Sequence, residues 1–431
     1  MFTYRGFMLD SVRHMQSIDE IKKLIDAIAL LKFNKFHWHL TDDQGWRFES
    51  EKYPLLNTVS AVRPYSDFGK TFVNEPYGRV YTKDEMREIV AYCGERGIEV
   101  VPEFDMPGHT SALLSAYPHL SCSGEGVNIK THQGIFKDVL CISKDETFNM
   151  VTDIIDEFLE IFPGEYFHIG GDETPSAHWR ECPHCQALMR DSGASTYAEL
   201  QNVFMNKVID YLGSKGRHAI VWNDAASGGN LDKRAIVQYW KEKPQPTVRF
   251  LNEGGKAILS PFSYYYLDYD YSIAPLNRVY SFGATLPQLT EAGKRNIIGL
   301  EAPIWTEYID NDKRLEEMIF PRLIAVSKAS LGEADKPYEE LLAEVRDIRN
   351  LLPRVAFMDE LEWTKPRIAF ISGWLRFVKA HYTKRYIKEQ LFEKFMPHKV
   401  LSRELIMGHF VLITGRKFGY YSLLFFIWIS L

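Results

Sequence analysis

Tyr166-Phe-His-Ile-Gly-Gly-Asp-Glu173 sets two adjacent acids directly after a strand-like apolar run and a Gly-Gly pair. Without side chains at Gly170 and Gly171 a ligand can approach the backbone, with Asp172 and Glu173 at its edge. A carboxyl pair of this kind suits acid–base chemistry. Asp105-Met-Pro-Gly-His109 follows a second strand-like run, where a Pro/Gly turn would aim His109 back towards the same place. Other apolar runs end in Asp10 and Arg13, Asp42 and Asp43, Trp222 and Asp224, Trp240, Tyr266 and Asp268, and Trp305 and Glu307. Carboxylates and an arginine suit the hydroxyl rim of a sugar, and tryptophan planes suit its C–H faces. No lysine is read among these ends.

His37-Trp-His39 carries the rival signal. Two histidines at i and i+2 share a strand face, and such a pair inside a barrel suggests a metal-dependent amidohydrolase. That centre needs further ligands, commonly a carboxylated lysine and later histidines, whereas the later runs end in Trp222, Trp240 and Trp305. The pair also precedes Leu40-Thr41-Asp42, which places it within a strand, as barrel interior. No metal or cofactor is assigned to the site. A third class, a sugar-binding protein that has lost catalysis, is opposed by the intact Asp172-Glu173 pair.

The elements that must position these residues alternate. Strands are expected at 6–10, 35–40, 99–104, 166–171, 219–223, 235–240, 256–260 and 297–305. Four S/T-x-x-E boxes, at Ser17, Thr82, Ser143 and Thr196, each open a helical pattern. The stripe Ile21, Leu24, Ile25, Ile28, Leu31 after the first is one buried helix face. Eight strands alternating with helices in about 330 residues predict an α/β fold, an eight-stranded parallel β/α (TIM) barrel, with reactive groups at the C-terminal strand ends. The expected division is a catalytic barrel over 1–335 and a C-terminal helical extension over 336–431, including a helix at 338–351.

Composition narrows the class. The 431 residues carry 51 basic and 57 acidic side chains, a net charge of −6, with no basic block to attract nucleic acid or an anionic membrane. The start has no apolar signal-peptide core. The apolar stretch 409–431 is interrupted by Arg416 and Lys417, too short a run for a spanning helix. Five cysteines do not make a disulfide framework in a chain this long. Cys182-Pro-His-Cys185, with His178 near, has half of a zinc-ribbon spacing and no second pair, while Cys122 and Cys141 bracket a Gly-rich loop as a candidate bridge.

The sequence resembles the glycoside hydrolase family 20 β-N-acetylhexosaminidases. The resemblance rests on 5–14 (RGFMLDSVRH), 36–44 (FHWHLTDDQ), 103–109 (EFDMPGH), 168–173 (HIGGDE), Val221-Trp222 and 301–307 (EAPIWTE), in order across about residues 4–330. It implies exo-hydrolysis of terminal β-linked N-acetylglucosamine or N-acetylgalactosamine with retention, the substrate's acetamido oxygen acting as nucleophile. It further implies Glu173 as general acid and base, Asp172 as partner of the acetamido N–H, and Tyr266 as donor to the acetamido oxygen. His109 and Asp42, with Asp105 beside them, would couple to the acid. Arg13, Asp268 and Glu307 would bind hydroxyls, and Trp222, Trp240 and Trp305 would wall in the ring. The family commonly carries a small α+β domain before the barrel, whereas here the first strand begins within a few residues of Met1. The stretch after about 366 does not follow the family's usual ending.

Overall fold

A computed structural model describes residues 1–360 apart from 70 and 71; the stretch 409–431 and most of the expected extension lie outside the described residues. Eight parallel strands close into a barrel: β1 (Tyr4–Asp10), β2 (Lys35–His39), β3 (Glu99–Met106), β4 (Tyr166–Gly170), β5 (His218–Trp222), β6 (Ile236–Tyr239), β7 (Lys256–Leu259) and β8 (Ile297–Ile304). Each pairs with its sequence neighbours, and β1 against β8 completes the ring, with Phe7 opposite both Phe36 and Ala302. All eight expected strands are present, displaced by at most two residues at an end. The surrounding helices include α1 (Ile18–Leu30), α2 (Lys83–Gly94), α3 (Asp145–Leu159), α4 (Pro183–Ser192), α5 (Tyr197–Ser214), α6 (Pro244–Asn252), α7 (Arg322–Leu331) and α8 (Tyr338–Leu351). Helix α8 buries Leu341 and Val345 in the same core as the barrel helices. Among the described residues no helix is long and apolar enough to cross a membrane.

Three of the four expected capping boxes start helices. Ser17, Thr82 and Thr196 each accept a backbone N–H three residues on, which satisfies an otherwise orphan donor of the first turn. Ser143 is a correction: α3 begins at Asp145 with Lys144 as its cap, and no side chain caps it. The Ser143 hydroxyl lies instead against the sulfurs of Cys141 and Cys185, at 3.3 and 3.4 Å. The candidate Cys122–Cys141 bridge is likewise corrected, since both are free thiols.

The barrel interior is layered. Tyr4, Val101, Ile220, Ile236 and Ile258 form an apolar plug at the N-terminal end of the strands. Above it the filling is ionic and fully buried. His37 bridges Glu301 Oε1 at 2.9 Å and Glu103 Oε2 at 3.0 Å, and Glu103 also takes His168 at 2.9 Å and the Trp222 indole N–H at 2.9 Å. His39 joins Glu103 to Asp42, the latter at 2.9 Å. Every ring nitrogen of His37 and His39 therefore faces a carboxylate oxygen, the arrangement of a charge-pairing core. Gly6 makes room for this layer, because a Cβ there would stand 2.4 Å from Glu301 Oε2.

The mouth loops are held by arginines that are themselves buried. Arg47 donates to Val12 O at 2.7 Å, and Arg63 to Arg13 O at 2.6 Å, which fixes the loop after β1. Arg322 on α7 donates to Tyr269 O at 2.7 Å, Ala274 O at 3.1 Å and Leu267 O at 2.5 Å, which fixes the loop after β7. A five-donor fork suits this work, since a buried carbonyl without a donor costs about 1–3 kcal/mol.

The ionic layer links stability to pH. Burial alone would lower the His37 pKa, but Glu301 and Glu103 win and push it up to about 9. A histidine raised in the folded state stabilises fully below its unfolded pKa of about 6.5, and that contribution is lost as pH rises through the folded value. Urea unfolding should therefore show stability falling between about pH 6.5 and 9, by on the order of 3 kcal/mol from His37. Flat or rising stability across that window would show that His37 is not an imidazolium.

Candidate active site

Every residue expected at the site comes from a C-terminal strand end or the loop just beyond it. Arg13 follows β1, Asp42 follows β2, Asp105 is the last residue but one of β3 with His109 in the turn beyond, and Asp172 and Glu173 follow β4. Trp222 ends β5, Trp240 follows β6, Tyr266 and Asp268 lie after β7, and Trp305 and Glu307 follow β8. The backbone at the acids is unusual. Gly170 has φ 65° and Gly171 φ 98°, and a Cβ on Gly170 would overlap the Asp105 carboxylate at 1.6 Å. Glu173 (φ 44°) and His109 (φ 53°) also occupy the left-handed region, which L-residues with a full side chain seldom adopt.

A chain of charges runs out of the barrel to these acids. Asp42 takes His39 from below and the Arg13 guanidinium at 2.7 Å. It also takes His109 Nδ1 at 3.2 Å, and Asp43 lies equally close to that nitrogen. His109 Nε2 then points at Asp172 Oδ2, 3.7 Å away. His109 therefore meets Asp172 rather than Glu173, and its influence on Glu173 is through space. Burial opposes the charge on His109, but Asp42 and Asp172 hold its pKa well above the ordinary imidazole value. Asp42 is held well below the carboxylate range by Arg13 and His109 despite burial.

The two acids are tuned by what surrounds them. Burial pushes the Asp172 carboxyl up to about 7, against the pull of His109 and with the help of Glu173 and Asp224. Burial also raises Glu173, with His109 and Lys241 pulling the other way. A carboxyl raised in this way remains a proton donor closer to neutral pH. Burial and then Asp172 raise Asp105 well above its usual range, and its Oδ1 accepts the Gly171 N–H at 3.3 Å.

Lys241 corrects the expectation of a mouth without lysine. Its ammonium lies 2.9 Å from Asp224 Oδ1 and 3.8 Å from Glu173 Oε1. The signal in the sequence was its place directly after Trp240. Asp224 also accepts the Trp240 indole N–H at 3.0 Å, so Asp224 orients both the ring and the cation.

The aromatic residues form one lining. Trp240 stacks on Tyr266 with centroids 6.0 Å apart and planes at 16°, and Trp305 lies 6.2 Å from Tyr266 and 6.0 Å from Trp222. Trp222 is only 1% exposed and acts as the floor, bonded to Glu103. Arg13 lies over the Trp305 ring at 5.2 Å and reaches Glu307 at 3.7 Å. Burial and Glu307 push Asp268 up to about 8. Asp172 Oδ1 and Asp268 Oδ1 are both buried acceptors without a hydrogen-bond donor among the described residues. Two such orphans facing an aromatic lining suit a ligand that brings N–H and O–H donors on an apolar ring.

Comparison with known proteins agrees with this geometry. The model of the glycosyl hydrolase family 20 catalytic domain matches residues 2–330. A beta-hexosaminidase of Porphyromonas gingivalis is 39% identical over 339 residues, covering 76% of this chain and 43% of that protein. The human beta-hexosaminidase subunit beta is 30% identical over 358 residues, covering 79% of this chain and 59% of that protein. The crystal structure of a family 20 exo beta-N-acetylglucosaminidase from Vibrio harveyi, in complex with N-acetylglucosamine, superposes with a TM-score of 0.73 at 30% identity, covering 83% of this chain and 59% of that one. The chain spans about half the length of the first curated relatives, 43% for Porphyromonas gingivalis and 57% for Vibrio furnissii. With a catalytic-domain match from residue 2 to residue 330 on a closed eight-stranded barrel, the chain belongs to glycosyl hydrolase family 20.

Proposed function

We propose that this chain is a retaining exo-β-N-acetylhexosaminidase that removes terminal N-acetylglucosamine or N-acetylgalactosamine by substrate-assisted catalysis. The observation that carries the reading is the buried, unpartnered Asp172 oxygen beside Glu173 at the end of β4, with Tyr266 raised well above its usual pKa by burial and by Asp172. In this reading the acetamido N–H donates to Asp172 and the Tyr266 hydroxyl donates to the acetamido oxygen. That oxygen attacks C1 and an oxazolinium ion forms, while Glu173 gives its proton to the departing oxygen. Water then attacks C1 and gives its proton to Glu173, which restores the acid. Holding the nucleophile within the substrate supplies an effective concentration on the order of 10⁵ M or more. Asp172 offsets the positive charge that develops on the cyclised group. Arg13, Asp268 and Glu307 take the ring hydroxyls, and Trp222, Trp240 and Trp305 enclose the ring and the acetamido methyl.

Chromogenic glycosides test the nucleophile. β-N-Acetylglucosaminide should be hydrolysed and the matching β-glucoside, which lacks the acetamido group, should not. Comparable rates on the two would end the substrate-assisted reading.

The acids should separate by substrate. Glu173→Gln should slow glycosides with poor leaving groups by about 10²–10⁴, and activated aryl glycosides less, because the latter need little protonation. Asp172→Asn should impair both, and should weaken binding of a thiazoline analogue of the cyclised sugar. Unchanged thiazoline affinity in Asp172→Asn would remove Asp172 from the acetamido group.

His109 lowers the pKa of both acids. Removing its charge in His109→Gln should therefore move both limbs of the kcat/KM pH profile upwards, alongside any loss of rate. A profile that stays in place or moves towards acid would show that His109 is not charged in the free enzyme.

A further inference from the structure

Away from the carboxylates, four of the five cysteines converge from two separate stretches of chain. Cys122 follows a short helical turn at Pro118–Leu120, and Cys141 lies beside it because Ser121 bridges Leu140 and the Cys141 N–H donates to Leu120 O at 2.8 Å. Cys182 caps α4 and Cys185 stands in its first turn. The sulfur of Cys141 is 3.9 Å from that of Cys182 and 3.7 Å from that of Cys185, and Cys122 is 3.8 Å from Cys185. All four sulfurs lie within 4.8 Å of one another, three on buried residues and Cys122 half-buried.

These spacings choose between two chemistries. Two disulfides would divide the four sulfurs into two close pairs. Here Cys141 is equally near Cys182 and Cys185, and Cys185 equally near Cys122 and Cys141, so no pairing is singled out. Four thiolates around one zinc ion, each at about 2.3 Å, form a tetrahedron with edges of about 3.8 Å. The three distances cluster at that value.

The surroundings fit the same chemistry. Cys182 and Cys185 sit at the N-terminus of a ten-residue helix, whose dipole favours thiolate over thiol. The Ser143 hydroxyl, diverted from capping α3, is placed to donate to the sulfurs of Cys141 and Cys185, as outer ligands do at metal–thiolate centres. An all-sulfur, tetrahedral donor set selects zinc over hard cations such as magnesium or calcium.

We propose that Cys122, Cys141, Cys182 and Cys185 form a structural zinc site. The protein fills all four positions, so the ion takes no part in glycoside chemistry. Its work is mechanical. It ties the loop after β3, which carries His109, to the segment after β4, which carries Asp172 and Glu173.

The full chain, expressed in zinc-supplemented culture and purified under reducing conditions, tests this by elemental analysis and native mass spectrometry. One zinc per chain is expected in the wild type. Cys141→Ser and Cys182→Ser should each lose it, and Cys93→Ser, whose thiol is buried on α2 outside the cluster, should keep it. Cobalt-substituted wild type should show the absorption of a tetrahedral thiolate centre, which needs no variant to fold. Chelation under mild denaturant should lower the melting temperature. Wild type that carries no zinc, or whose mass corresponds to two disulfide bonds, would overturn the proposal.

Discussion

The Glu103 carboxylate sits in the middle of the barrel with no access to water, and the site above it follows from that. A lone buried carboxylate would be strongly penalised, so the interior must supply donors. His37 and His39 from β2 and the Trp222 indole from β5 do so, and His168 from β4 lies 2.9 Å away. Because the donors are themselves held by Glu301 and Asp42, the charges cannot rearrange singly. Trp222 is fixed as the floor by this network, and His39 hands its second nitrogen to Asp42. The orientation of His109, and through it the field at Asp172, thus begins two layers below the mouth.

Around the rim a different economy operates. The carbonyls of the loops after β1 and β7 are pinned by Arg47, Arg63 and Arg322 from behind. Such forks fix backbone without occupying the cleft. The basic side chains Arg13 and Lys241, which do face the cleft, are each engaged with carboxylates on neighbouring loops. Loop position and cleft charge are therefore set by separate residues.

How much of this was legible in the sequence depended on range. The strands could be read because each is a short apolar run that ends in a functional residue, and both properties are local. Ser17, Thr82 and Thr196 behaved as their local spacing requires, while Ser143 did not, because sulfurs brought from residues 141 and 185 compete for its hydroxyl. Lys241 was missed because the reading stopped at Trp240, and a long side chain reaches back to Asp224 from one residue further on. The cysteine cluster was half seen. Cys182 and Cys185 are neighbours in sequence, but Cys122 and Cys141 join them only through the folding of two mouth loops, which no spacing rule encodes.

The left-handed backbone at His109 and Glu173 bears on how such a site persists through mutation. Glycine or asparagine would occupy φ 53° and φ 44° with less strain than histidine or glutamate. On the proposed mechanism, a glycine or asparagine at either position would remove a working side chain while being one the main chain would accept readily. Drift towards a more relaxed fold and drift towards an inert one therefore point the same way here, and only selection for turnover opposes them. A stability screen of variants, blind to activity, would enrich for loss at the very residues the barrel is built to present.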